Sequence, residues 1–343
     1  MTTSNRRWVL ESYPDGMPTP DNWRMETVEL NQPAENQVLA RALYLSVDPY
    51  MRGRISARKG YAKGVRRGEL MVGGAVAEVI QSNHPDFKQG DIVESMHFGW
   101  QEYASLDAKG LTRVDLQLGP AHAWLSYLGM PGITAWCALT LVGNIKTGET
   151  VLVSAASGAV GQVAGALLNA AGCRAVAVAS SELKLNWCRQ IGYASGINYR
   201  ESENLTADVT AACNDGIDVF FDNTAGAIHD AAMQNLAIGA RIIVVGTISL
   251  SGKFEQPDLG ERFLRQILVA RATMTGFLVF DHLDRYDEAR RHLANLANSG
   301  RLKFNTDFMD GIDSMPEAFM RLMHSKNFGK QLVRTRFASG MSE

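Results

Sequence analysis

The sequence predicts an α/β chain, with a parallel, doubly wound sheet in its second half and a strand-rich region before it. Two observations carry this. From residue 150 onward, apolar strands alternate with helical stretches, a rhythm that implies right-handed βαβ units and a parallel sheet. Over roughly the first 120 residues, short apolar runs alternate with turn signals and no long helical period appears.

The elements follow in order. Val38–Leu45 and Gly74–Ile80 read as strands, with turns at Asp48-Pro49, His84-Pro85 and Gln89-Gly90-Asp91. Residues 121–142 are apolar and read as two buried helical pieces joined at Pro131-Gly132. Strands are expected at Val151–Ala156, Arg174–Ala179, Asp218–Asp222, Ala240–Gly246 and Met274–Phe280. Helical patterns lie between them at 161–171, 182–190 and 228–236. Residues 284–298 form an amphipathic pattern, with Tyr286, Ala289, Leu293 and Leu296 on one stripe and Gly300 placed to end it. Lys330–Thr335 reads as a strand that pattern alone does not place.

Composition narrows the function classes. Among 343 residues, 34 Lys+Arg balance 36 Asp+Glu, so no global charge attracts nucleic acid or an anionic membrane. The four cysteines, Cys137, Cys173, Cys188 and Cys213, lack the spacing of a zinc ribbon or a CxxC pair. The seven histidines show no HxxxH or HxH spacing and read as surface or polar-contact residues. The apolar run Trp8-Val9-Leu10 ends at Glu11, too short for a secretory signal, so a cytoplasmic location is expected. Residues 151–173 carry no charge, but their glycines and polar residues favour a buried strand, turn and helix over a membrane span.

The chemical signal is strongest at Ala156-Ser157-Gly158-Ala159-Val160-Gly161, a GxGxxG spacing with alanine at the first place. A strand precedes it and a helix follows. Gly158 gives a pyrophosphate room to approach the backbone, and Gly161 allows close packing of helix on strand. The helix N-terminus offers unpaired N–H groups to phosphates. This is the Rossmann arrangement, with an empty structural unit as the alternative. The end of the second strand usually holds the Asp or Glu that reads a ribose 2′-hydroxyl. Here it reads Ala179-Ser180-Ser181, followed by Glu182 and Lys184. Hydroxyls and a cation suit a 2′-phosphate, which favours NADPH; the bland reading of Lys184 is a solvated helix lysine.

Several segments carry a resemblance: Leu45–Arg54, which contains Asp48-Pro49-Tyr50-Met51-Arg52; Leu128–Ala135, with Gly129-Met130-Pro131-Gly132; Ser154–Gly161; Gly216–Asn223; and Asn327-Phe328-Gly329-Lys330. On these the chain resembles the zinc-independent medium-chain dehydrogenase/reductases. Within them it is similar to the prostaglandin reductase and alkenal double-bond reductase family, which includes curcumin reductases. The resemblance covers nearly the whole chain.

It implies a Rossmann domain over 126–303 inserted into a β-rich, chaperonin-10-like substrate domain made of 1–125 and 304–343. The strand at Lys330–Thr335 would return to that first domain. It implies a homodimer that pairs Rossmann edge strands. For the cofactor it implies contacts from the Gly158, Ala159, Val160 and Gly161 turn, and from Ser180, Lys184 and Tyr199 around the 2′-phosphate. It adds Asn223 and Asn327, then Val245, Gly246, Thr247, Ile248 and Ser249 at the strand end facing the nicotinamide. Phe277, Leu278 and Val279 match the backbone stretch set against the nicotinamide amide.

The implied reaction is NADPH-dependent reduction of the C=C bond of an α,β-unsaturated aldehyde or ketone, without metal. Tyr50 and Tyr61 are the candidate catalytic donors. The plain alternatives are a core tyrosine for Tyr50 and an exposed loop tyrosine for Tyr61. The sequence departs from the family at Leu250 and Val269, where many relatives carry tyrosines. Two other readings stay open: a metal-free quinone reductase and an NADPH-binding protein without turnover. Loop 251–262 is expected to border the substrate pocket and set specificity.

Overall fold

In a computed structural model of the chain, residues 4–58 and 60–338 are described. The chain separates into two compact units. The first takes in the chain up to Leu125, Ser251–Gln256 and the part from Thr306 onward; the second holds Ser126–Leu250 and Pro257–Asn305.

The first unit opens with an antiparallel hairpin, β1 (Ser4–Leu10) on β2 (Trp23–Glu29). β3 (Gln37–Ser46), β4 (Ala75–Ser82), β5 (Ile92–Ser95), β6 (Tyr103–Asp107) and β7 (Thr112–Arg113) follow. The single helical turn α1 (Met51–Arg54) leaves the end of β3. Ala75, Ala77 and Val79, at alternate positions of β4, are buried in the core, and Val76 between them is buried too. Trp23, Trp100 and Phe319 form an aromatic cluster, with ring centroids 5.3 to 5.9 Å apart.

The second unit starts with α2 (Met130–Cys137), which continues into a π-helix at Ala138–Gly143. Pro131 lies in the first turn of α2, where its missing N–H costs nothing. The expected break therefore falls before Pro131, in the link that follows the 3₁₀ turn Ala121–Leu125. Gly132 is required there: a Cβ would lie 1.9 Å from the Tyr127 carbonyl oxygen.

Next come β8 (Thr150–Val153), α3 (Ala159–Ala170), β9 (Arg174–Ala179), α4 (Glu182–Gln190), β10 (Ser195–Asn198), α5 (Leu205–Ala212), β11 (Ile217–Asp222) and α6 (Gly226–Met233). β12 (Leu236–Val244), α7 (Leu264–Ala270), β13 (Thr273–Gly276) and α8 (Tyr286–Asn298) complete it. The six strands pair in parallel in the order β10-β9-β8-β11-β12-β13. Numbered within the sheet, this is 3-2-1-4-5-6, the dinucleotide-binding Rossmann order. Leu152, Val176, Phe220 and Ile242 from its central strands are fully or almost fully buried with helix residues Val209 and Ile228. The uncharged stretch 151–173 is thus strand, turn and buried helix, and among the described residues no helix is long and apolar enough to cross a membrane.

Three strands differ from expectation at their ends. β8 stops at Val153 because Ala155 takes a positive φ of 49°. β12 begins at Leu236, which the helical pattern had claimed, and ends at Val244. β13 ends at Gly276; Phe277 to Phe280 run off into a 3₁₀ turn over Val279–Arg285. α8 buries Ala289, Leu293 and Leu296 as its stripe requires, and Gly300, with φ +70°, follows its end.

The chain returns to the first unit with β14 (Thr306–Asp310), α9 (Met315–Met323) and β15 (Lys330–Arg334). β15 pairs antiparallel with β3 and parallel with β14. The C-terminal strand that pattern could not place therefore extends the sheet built by the first residues.

Candidate functional site

The glycine turn is set by sterics. Gly158 is the N-cap of α3 and no side chain caps that end, so the first N–H groups of the helix lack helical or side-chain acceptors. A Cβ on Gly161 would come within 2.5 Å of the Ala155 and Ala156 carbonyl oxygens. One turn on, a Cβ on Gly165 would lie 2.3 Å from the Tyr193 ring, whose hydroxyl donates to the Gly161 carbonyl at 2.7 Å. Gly161 and Gly165 thus serve helix packing, and Tyr193, unmarked in sequence, is the packing partner of Gly165.

The end of β9 lies beside this turn. The Ala156 N–H donates to the Val178 carbonyl at 3.1 Å, and the Tyr199 N–H to the Ala179 carbonyl at 3.1 Å. Ser180, Lys184 and Tyr199, all half-buried, are therefore brought together with the N-terminus of α3. Ser181 caps α4, its hydroxyl accepting from the Lys184 N–H at 3.4 Å. Glu182, the one carboxylate nearby in sequence, is exposed and paired with Arg189 at 2.6 Å.

Asn223 is held at the end of β11: its side chain donates to the Ser154 carbonyl at 2.7 Å, and its N–H to the Ser154 hydroxyl at 2.7 Å. The loop Val245–Ser249 folds onto the same strand end. Val245 and Gly246 N–H groups donate to the Asp222 carbonyl at 2.8 and 3.1 Å, and the Ser249 N–H and hydroxyl to the Thr224 carbonyl at 3.1 and 2.6 Å. Two glycines make this approach feasible. A Cβ on Gly246 would meet the Asn223 carbonyl oxygen at 2.9 Å, and one on Gly226 the Ser249 hydroxyl at 2.7 Å. Thr247 and Ile248 stand on this loop, followed by Leu250, whose N–H returns to the Thr247 carbonyl. Phe277 donates its N–H to the Val244 carbonyl at 3.0 Å and stacks on His282 with centroids 5.1 Å apart. Leu278 is partly exposed and Val279 buried.

The carboxylate beneath this arrangement was unmarked in the motif. Asp222 is fully buried, and its Oδ1 accepts from the Ser154 hydroxyl at 3.1 Å and the Thr224 and Ala225 N–H groups at 2.9 Å. Its Oδ2 lies 2.9 Å from His229 Nδ1. His229 is therefore a carboxylate partner rather than a surface residue. Its pKa is raised, first by the hydrogen bond to Asp222, against the opposing effect of burial. Ala225 sits at φ +59°, ψ −161°, a conformation that glycine alone adopts freely, at a cost of about 1–3 kcal/mol.

In the first unit, Tyr50 caps α1 and Tyr61 lies in the loop beyond it, 57% exposed. The Arg54 guanidinium sits over both rings, 5.7 Å from that of Tyr50 and 5.5 Å from that of Tyr61. Burial raises the pKa of both phenols; Arg54 opposes the rise and Asp48 adds to it. Arg52 of the same motif is almost completely buried. It donates to the Ser251 carbonyl at 3.0 Å, the Gly16 carbonyl at 2.9 Å and the Glu255 carboxylate at 3.0 Å, and its guanidinium lies 5.0 Å from the Phe254 ring centroid. This clamp makes Ser251–Gln256 part of the first unit. Asn327 is buried there too, donating to the Gly329 carbonyl at 2.8 Å. Val269 is exposed on α7. Among the described residues no group of three or more His, Cys, Asp or Glu is arranged to hold a metal.

Comparison with known proteins places this geometry. Residues 6–114 match the profile described as N-terminal domain of oxidoreductase, and residues 159–295 that of zinc-binding dehydrogenase. The chain is 37% identical to the NADPH-dependent curcumin reductase of Escherichia coli, over 96% of this chain and 96% of that one. It is 35% identical to an NADP(+)-dependent 2-alkenal reductase of Nicotiana tabacum, over 96% and 97%. The chain belongs to the medium-chain dehydrogenase/reductase family. A Vibrio vulnificus family member, CurA, solved in complex with NADPH, superposes with a TM-score of 0.90 at 36% identity, covering 96% of this chain and 99% of that one. The quinone oxidoreductase of Escherichia coli matches at 18% identity with a TM-score of 0.75, which shows the shared fold alone.

Proposed function

We propose that this chain uses NADPH to reduce the C=C bond of α,β-unsaturated aldehydes and ketones. The observation that carries the proposal is its full-length similarity to curcumin and 2-alkenal reductases. The local geometry agrees. The uncapped N-terminus of α3 suits a pyrophosphate, while Ser180, Lys184 and Tyr199 at the end of β9, with Glu182 turned to Arg189, suit a 2′-phosphate.

When bound, NADPH supplies the hydride for the substrate β-carbon. The second unit is the proposed nucleotide-binding domain, with the Gly158–Gly161 turn, Asn223, Val245–Ser249 and Phe277–Val279 as its cofactor contacts. The first unit is the proposed substrate domain, with Asn327 as a further cofactor contact. As negative charge develops on the substrate oxygen, a hydrogen-bond donor stabilises it, and the α-carbon then takes a proton. Tyr50 and Tyr61 are the proposed donors. Because burial raises both phenols, each hydroxyl keeps its proton at neutral pH.

The proposed reaction uses no metal, a reading supported by the scattered Cys and His donors. A homodimer through β13 is also proposed: this edge strand is exposed, and α7, which precedes it in the chain and packs on β12, exposes Leu264, Leu268 and Val269. A cytoplasmic location is proposed, and the four unpaired cysteines fit it.

The test is NADPH oxidation with a 2-alkenal, an aryl enone and a quinone side by side, each product identified by mass. A saturated aldehyde or ketone is expected. Turnover of the quinone alone would make the chain a quinone reductase, and tight NADPH binding without any turnover would make it a binding protein.

A further inference from the structure

The His229–Asp222 pair connects to the loop that the proposed function sets against the nicotinamide, and the inference rests on that reading. Asp222 is fully buried, and among the described residues no Lys or Arg pairs with it. A buried carboxylate without a counter-charge is costly. His229, with its Nδ1 2.9 Å from Oδ2, is the group that answers it. The other carboxylate oxygen accepts the N–H of Ala225, the residue whose backbone takes a conformation suited only to glycine. The turn that contains Ala225 carries the loop: the Thr224 carbonyl accepts from Ser249, and the Asp222 carbonyl from Val245 and Gly246.

We infer that His229 is a positioning residue: as the imidazolium it anchors Asp222, which holds the strained 223–226 turn and so sets the shape of the Val245–Ser249 loop. A nucleophilic role for Ser154 does not fit, because its hydroxyl bonds the carboxylate and not the imidazole.

The charged groups facing His229 all favour the imidazolium. Asp222 contacts it from the end of β11, Asp230 follows it on α6, and Asp258 acts on it from the segment after Pro257. Glu261 faces Asp230. The Phe220 and Phe263 rings also lie against it, with centroids 5.9 and 6.2 Å away. Protonation therefore strengthens the anchor, and deprotonation at rising pH loosens it.

The test measures NADPH dissociation constants for the full-length protein, by nucleotide fluorescence, from about pH 6 to about pH 9, which spans the imidazole range. In the wild type, affinity should fall as pH rises through the titration of His229. His229→Gln should bind about tenfold more weakly at the acid end, within the usual range of coupling between linked sites, and lose most of the pH dependence. The 2′-phosphate titrates alike in both proteins, so the difference between the profiles reports the residue. Ala225→Gly, which removes the strain, should restore affinity in the His229→Gln background.

A His229→Gln profile that matches the wild type overturns the inference, as does a double variant with no recovery. A wild type that binds no NADPH at any pH overturns instead the reading of the loop. Thermal unfolding of the apoprotein gives an independent readout. The raised pKa of His229 means that its stabilising contribution is complete below the ordinary value of 6.5 and is lost as pH rises through the folded-state value. The wild-type melting temperature should fall over that range more steeply than that of His229→Gln.

Discussion

Asp48 and Lys330, 282 residues apart in sequence, form a buried ion pair that joins the two ends of the chain. The Lys330 ammonium also donates to the Ser46 hydroxyl at 2.8 Å and the Val47 carbonyl at 3.0 Å. The pair ties β15 to the end of β3, where the chain turns into Tyr50 and α1. Lys330→Met strands the Asp48 carboxylate in the interior. The expected loss is about 3–5 kcal/mol of stability, read from the midpoint of urea unfolding at unchanged slope. Adding Asp48→Leu should recover much of that loss. A single variant that unfolds at the wild-type midpoint would show that the pair is not structural.

Lys184 is half-buried at the strand end where Ser180 and Tyr199 converge. A charge-assisted bond to a 2′-phosphate contributes about 1.5–3 kcal/mol. Lys184→Ala should therefore weaken NADPH binding at least tenfold and leave NADH nearly unaffected. Equal losses for the two nucleotides in a titration would remove Lys184 from the 2′-phosphate site.

Tyr61→Phe tests the proton donor. If its hydroxyl serves, kcat with an enone should fall by about a hundredfold with little change in KM. An unchanged kcat would pass the role to Tyr50 or to water. The pH profile carries a sign of its own. A donor works while protonated, and burial lifts the phenol above the ordinary 10.0. The wild-type rate should therefore show no loss from donor ionisation through neutral and mildly alkaline pH.

The exposed apolar side chains around β13 test the dimer. Leu268 is 75% exposed and Met274 44% exposed. Leu268→Asp with Met274→Asp places charges where the proposed edge pairing would bury them. Light scattering should show a dimer for the wild type and a monomer for the double variant. A wild-type monomer would leave the apolar edge to some other partner.

Much of the fold was legible because each βαβ step is local. Strand, turn and helix are encoded within about thirty residues, and Gly158 and Gly161 mark where backbone must pass close to backbone. Strand ends were less legible. β8 ends early, at Val153, because Ala155 takes a positive φ that alanine does not advertise. β12 starts at Leu236, in a stretch whose apolar spacing also fits a helix.

The site divides in the same way. Lys184, the missing carboxylate after β9 and the Asp-Pro-Tyr-Met-Arg motif could be read from spacing and resemblance. The roles of Asp48, Arg52, Asp222 and His229 could not, since each depends on a partner brought near by folding. The sequence by itself determined the class of fold, the glycine turn and, by resemblance, the kinship with double-bond reductases. The fold class and the turn rest on short-range backbone requirements that residue types express directly. Only the tertiary structure decided that Lys330 neutralises Asp48, that Arg52 clasps Ser251–Gln256 and that His229 anchors Asp222. A buried charge must be answered wherever the fold places it, and no local pattern records which residue will answer.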